Sequence, residues 1–151
     1  MFLSYRRDDS KGESGRIANR LQSDLGKGSR FFDVDSIPAR TDFVGKLAEG
    51  VALCDVLIAV IGPRWLDMPD GKGGRRLDDS EDPVRVEIAT ALHRDIPVVP
   101  ILLDGTPFPR EADLPSNLRG LAPRNGLEVR HPSFHSDVDR LVAELKKMRQ
   151  R

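Results

Sequence analysis

Apolar residues along this chain recur with two periods. Short runs at residues 2–5, 30–34, 55–61, 98–103 and 127–129 read as strands. Two of them, "DVLIAVIG" and "PVVPILLDG", are almost continuously apolar, the mark of strands buried on both faces. Between the strands, apolar residues return at helical spacing. Ile17, Leu21 and Leu25 form one stripe, and Val138, Leu141, Val142 and Leu145 form another. Phe43, Leu47, Val51 and Cys54 line a helix predicted over 41–54 behind a Thr41 cap. "SEDPVRVEIATALHRD" opens with Asp82 as cap and Pro83 at the first helical position. Five strands alternating with helices predict an α/β fold, a doubly wound parallel sheet of order 2-1-3-4-5. The longest loop, 62–81, is rich in Gly, Asp and Arg, and a loop of that length in a compact domain is commonly functional.

Composition narrows the class. A chain of 151 residues is most simply one domain, here 1–151, burying about two-thirds of its unfolded surface. Its 24 basic and 24 acidic residues cancel, so no net field draws it to nucleic acid or to an acidic membrane. The single Cys54 excludes an internal disulfide framework and fits a reducing compartment. No apolar stretch approaches the roughly 20 residues that span a bilayer, and Met1 leads directly into strand-like residues. A cytoplasmic domain is the expectation. The chain ends in "ELKKMRQR", a charged helical run with no stop signal, as in a domain cut from a longer protein.

The first strand ends abruptly in charge: "FLSYRRDDSKG". In doubly wound sheets ligands bind beyond the carboxyl ends of the strands, beside the first strand. Arg6 and Arg7 sit there, and Asp33 follows the second strand. Two readings stand: a surface ion pair with Asp9 or Asp33, worth little, or a bidentate grip on an anion. The first turn has no G-x-G-x-x-G, and no G-x-x-x-x-G-K-[ST] occurs, so an ordinary dinucleotide fold or P-loop enzyme is not expected. A phosphorylation receiver is a poor match, because no aspartate ends the third strand. His93, His131 and His135 share no metal-ligand spacing with Cys54. Ser10 and Ser14 have no matching His–Asp set.

Three stretches together resemble one family. "FLSYRRDDS" is similar to the first box of TIR (Toll/interleukin-1 receptor) domains, and "FFDVDSIPARTDF" to their second strand and the BB loop after it. "DPVRVEIATAL" resembles the helix that carries the catalytic glutamate in TIR enzymes. "CDVLIAVIGPRWL" and "IPVVPILLDG" complete the set in order, over essentially the whole chain, in a form similar to bacterial NAD-cleaving TIR domains. The resemblance implies a flavodoxin-like fold and one of two functions. One is NAD⁺ nucleosidase activity, releasing nicotinamide and ADP-ribose or a cyclic ADP-ribose, in an assembly-activated effector of bacterial immunity. The other is a signalling scaffold working through homotypic TIR–TIR contacts. NAD⁺ would be a substrate, with no cofactor or metal, and a fused sensor domain could supply the trigger.

The resemblance also implies roles. Glu87 takes the catalytic position, and a carboxylate there can stabilise an oxocarbenium-like state as nicotinamide departs. By helical period Glu87 lies within about 60° of Val84 and Ala91, on the rim of the buried face; read alone it is a solvated glutamate favoured by the helix dipole. Tyr5, Arg6, Arg7, Asp33, Asp35, Phe43 and Trp65 take substrate-binding positions. By spacing alone, Phe43 is the first core contact of its helix and Trp65 packs under its loop. Ser36, Ile37, Pro38 and Arg40 in the BB loop take self-association positions. Two residues depart from the pattern: Pro83 stands where many active relatives carry Trp or Phe, and Arg40 where relatives often carry Gly.

Overall fold

The computed structural model describes residues 1–26, 43–122 and 124–149. Their elements run β1 (Phe2–Ser4), α1 (Arg7–Leu25), α2 (Phe43–Ala52), β2 (Leu57–Ile61), α3 (Pro83–His93), β3 (Val98–Leu103), β4 (Leu127–Val129) and α4 (Phe134–Arg149). The strands pair in parallel, in the order β1-β2-β3-β4. They are the first, third, fourth and fifth strands expected from the sequence, and the last two keep their predicted bounds. The strand predicted at 30–34, the Thr41 cap and the BB-loop residues Asp33, Asp35, Ser36, Ile37, Pro38 and Arg40 lie outside the described residues. The α/β parallel architecture is therefore established, and the full order 2-1-3-4-5 is not reached by the described residues.

Period two in the strands sorts the core into two layers. Leu57, Ala59 and Ile61 face one side with Phe2, Leu47, Val51, Ile88 and Leu118, under α2 and α3. Val56, Ile58 and Val60 face the other with Ile17, Leu21, Ile101, Val138 and Leu141, under α1 and α4. Every residue of β2 is buried, as its unbroken apolar run demands. Pro100 is tolerated inside β3 for a geometric reason. The Leu57 N–H donates to the Pro97 carbonyl at 2.9 Å, so odd-numbered residues of β3 turn their backbone groups toward β2. Pro100 turns the other way, where β4 pairs only from Ile101 onward, so its missing N–H leaves no ladder bond unmade. No helix of the described residues is long and apolar enough to cross a membrane.

Three boundaries shift from their sequence expectations, and the first is the end of β1 at Ser4, one residue early. β2 begins at Leu57, whose N–H makes a bond to the β3 side at the Pro97 carbonyl, and the exposed Asp55 stays before it. α2 ends at Ala52, and the Cys54 thiol, half-buried beyond it, donates to the Gly50 carbonyl at 3.2 Å. The long loop after β2 is built by its own bonds. The Asp70 carboxylate accepts from Lys72 N–H at 2.6 Å and Gly74 N–H at 3.0 Å, Pro69 bridges to Arg75, and Trp65, Met68 and Leu77 anchor the loop in the core.

Gly62 opens this loop against α1. A β-carbon there would stand 2.4 Å from Asp9 Oδ2, and Asp9 is pinned because its Oδ1 accepts the Arg64 N–H at 2.9 Å. Gly62→Ala is expected to cost ~1–3 kcal/mol in urea unfolding. In the double variant with Asp9→Ala, the two costs should fall short of additivity by about 1 kcal/mol. Strict additivity would show that the contact constrains nothing.

Candidate functional site

Period two along β1 puts Phe2 and Ser4 on the face that meets α3, and both are buried. The chain then leaves the sheet. Arg6, still extended, becomes the N-cap position of α1, and Arg7 begins the helix on an exposed first turn. That turn is set off from the rest of α1 by a kink at Ser10 (φ −143°, ψ 29°). The kink lets Arg6 point inward while Asp8 and Asp9 reach the loop after β2.

The charges at the end of β1 are answered by residues far along the chain. Arg6 Nη1 and Nη2 donate to Asp82 Oδ1 and Oδ2 at 2.9 and 3.0 Å, and Nε donates to the Trp65 carbonyl at 3.2 Å. Both side chains of this pair are 3% exposed. Asp8 pairs with Arg76 at 2.9 Å. The structure thus replaces the expected surface pair with Asp9 or Asp33 by a buried fork with Asp82. It also reassigns Asp82, which sits at the N-cap of α3 but makes no side-chain cap. Both Asp82 carboxylate oxygens are taken by Arg6, and the Asp82 backbone carbonyl accepts the Val86 N–H at 2.9 Å.

Glu87 follows on the second turn of α3. It is not on the rim: the residue is 5% exposed, against the solvated alternative. Burial raises its pKa from 4.5 to about 8; the Ser4 hydroxyl lowers it, nearby Asp82 raises it, and Arg6 lowers it. Ser4 Oγ lies close enough to act on the carboxyl, yet neither Ser4 Oγ nor Glu87 Oε2 has a hydrogen bond of sound geometry among the described residues. Asp9 Oδ2 and Trp65 Nε1 are also buried without partners among the described residues. All four of these atoms belong to residues at or next to the carboxyl ends of β1 and β2, or to α3 beside them. Buried polar atoms are ordinarily paired, so a concentration of unpaired ones among the described residues makes this strand end the candidate site.

The other expected residues divide. Tyr5 is half-buried and packs on the layer under α1 and α4. Trp65 is wholly enclosed, so its indole is a core anchor of the loop and not a cover over the site. Phe43 begins α2, with only its backbone described. Sequence reasoning missed Ser4 and Asp82. Ser4 had a signal, a polar residue in phase with Phe2 on the inward face of β1.

Two cavities lie elsewhere. One of about 370 Å³ is lined by Arg16, Leu103, Asp104, His131 and Phe134, among others. One of about 380 Å³ is lined by Gly45, Ala48, Glu49, Ala52, Leu53 and Arg94. Neither contains an unpaired buried polar atom, so the chemistry points to Glu87. No group of three His, Cys, Asp or Glu that could hold a metal occurs among the described residues.

The TIR domain family model matches residues 1–142. The chain belongs to the TIR domain family. No curated protein matches the sequence significantly. TIR domains act through TIR–TIR interaction, and some of them are NAD⁺-cleaving enzymes. In this TIR domain, the Glu87 helix and the box-one strand end meet through Arg6 and Asp82.

The raised pKa of Glu87 makes a stability prediction. An unfolded carboxyl loses its proton near 4.5 and the folded one near 8, so the folded state holds the extra proton between them. Stability from this group is full below the unfolded value and is lost as pH rises through about 8. Glu87→Gln should remove that slope and gain on the order of a few kcal/mol over the parent at alkaline pH. Denaturation curves across pH 4 to 9 check this, and parallel slopes for the two proteins would contradict it.

Proposed function

We propose that this TIR domain is an NAD⁺ nucleosidase with Glu87 as its essential carboxylate. The observation that carries the reading is a buried carboxyl with an unpaired oxygen at the carboxyl end of the parallel strands, where sheets of this kind take ligands. In the reaction, the bond between ribose C1′ and the pyridinium nitrogen breaks, and its electron pair leaves with neutral nicotinamide. The ribosyl cation is stabilised by ionised Glu87 or through its hydroxyls, then captured by water, which gives up a proton, or by a nucleophile of the adenine. Arg7, exposed at the first turn of α1, is assigned to the diphosphate. Tyr5, Asp33, Asp35 and Phe43 are assigned to the rest of the pocket. Arg6 serves from behind, holding α3 in place.

Assembly belongs to the same reading. The BB-loop residues Ser36, Ile37, Pro38 and Arg40 are assigned to a head-to-tail contact that closes the site between copies, in open filaments unless the rotation closes a ring. Leu53, 89% exposed beside the small residues Gly45, Ala48 and Ala52, offers an apolar surface suited to TIR–TIR contact. This exposed face is also what favours the second reading, a scaffold without turnover.

Glu87→Ala should abolish nicotinamide release, followed by mass spectrometry of concentrated protein with NAD⁺, while circular dichroism stays unchanged. Equal turnover would remove Glu87 from the chemistry. A parent protein that never consumes NAD⁺, even when artificially clustered, leaves the scaffold. Specific activity should also rise with protein concentration, and Ile37→Asp should flatten that rise without unfolding the monomer. Activity per subunit that is constant on dilution contradicts the assembly requirement.

A further inference from the structure

Behind the end of β1, Arg6 and Asp82 form a buried fork, and both act electrostatically on Glu87. From β1, Ser4 and Arg6 bear on Glu87, and from the start of α3, Asp82 does. On this side of the sheet β2 contributes Leu57, Ala59 and Ile61 and α2 contributes Leu47 and Val51, all apolar, among the described residues. Arg6 and Asp82 neutralise each other, so an ionised Glu87 would leave the buried group with one net negative charge. Burying an uncompensated charge is costly, and a second cation beside Glu87 would remove that cost.

Among the described residues, the cation that acts on Glu87 is Arg6, and it is engaged elsewhere. Asp82 takes one N–H from each Nη of Arg6 in a bidentate fork, and the Trp65 carbonyl takes the Nε–H, so three of the five donors fix the direction of the guanidinium. We propose that Asp82 is a positioning residue: by clasping Arg6 it keeps that guanidinium from pairing with Glu87, and so reserves the carboxylate for a cationic ring on the ligand. Resting on the NAD⁺ reading above, this makes the site selective for the oxidised pyridinium over the neutral dihydropyridine of NADH. Burial supports the same arrangement, because a carboxyl whose pKa stands near 8 ionises most readily when a cation arrives next to it. Without Asp82, Arg6 would turn to the adjacent carboxyl, fix it as a permanent ion pair and compete with the ligand.

Asp82→Asn tests this with two independent readouts. In the free protein, carboxyl-carbon NMR of Glu87, assigned by its loss in Glu87→Gln, should titrate at least one pH unit lower than in the parent. In binding, the preference for a non-hydrolysable carbocyclic NAD⁺ analogue over NADH should fall at least tenfold, and Asp82→Glu should restore it. An unmoved titration with an unmoved preference overturns the proposal. Should Asp82→Asn fail to fold, the double variant Arg6→Gln/Asp82→Asn carries no unpaired buried charge. It should keep the preference within about threefold of the parent, since no guanidinium remains to occupy Glu87. Loss of preference in the double variant overturns the proposal. If the titration falls but neither dinucleotide binds, the NAD⁺ reading fails while the hold of Asp82 over Glu87 stands.

Discussion

Arg6 and Asp82 stand 76 positions apart and meet as a fully buried, bidentate ion pair. The arrangement at the end of β1 depends on this contact. It draws the first residues after the strand inward, fixes the start of α3 against the sheet, and through the Trp65 carbonyl ties down the beginning of the long loop. A buried pair of this kind adds little net stability over an apolar substitute, but breaking it by removing one partner typically costs about 3–5 kcal/mol. Its value is therefore positional. With α3 seated this way, Glu87 is enclosed, where a helix free to roll by a fraction of a turn would leave it in water.

Much of the frame was legible because it follows from local periodicity. The continuous apolar runs of β2 and β3 mark central parallel strands, and Pro83 marks the start of α3 wherever that helix packs. The site was less legible because its geometry is nonlocal. Asp82 before a helix-starting proline looks like a cap in any sequence, and only its meeting with Arg6 shows otherwise. Glu87 shares a helical face with Val84 and Ala91, yet a carboxylate at such a position is normally solvated, and Ser4 of β1, which acts on it, lies more than eighty residues earlier. Trp65 was ambiguous for the same reason: an aromatic after a strand can lie over a site or under a loop, and the loop's own folding decided the matter.

Among the described residues, several polar atoms at this strand end are buried without a partner. Ser4 Oγ, Asp9 Oδ2 and Glu87 Oε2 are enclosed without partners among the described residues, while Arg6 is held by Asp82. A core optimised for stability alone would fill such positions with apolar side chains. Retaining them costs stability as pH rises, and a ligand that pairs with them would recover it. The family's enzymes and its scaffolds share one fold, so the distinction between them has to be sought in groups such as these.

The most direct measurement is hydrogen–deuterium exchange of the parent protein with and without a carbocyclic NAD⁺ analogue, whose nicotinamide bond cannot be hydrolysed. The account predicts that protection rises at the end of β1, the first turn of α1, the beginning of the loop after β2 and the first two turns of α3. Protection confined to the Arg16–Phe134 cavity or to the Leu53 face, or no change anywhere, would contradict it.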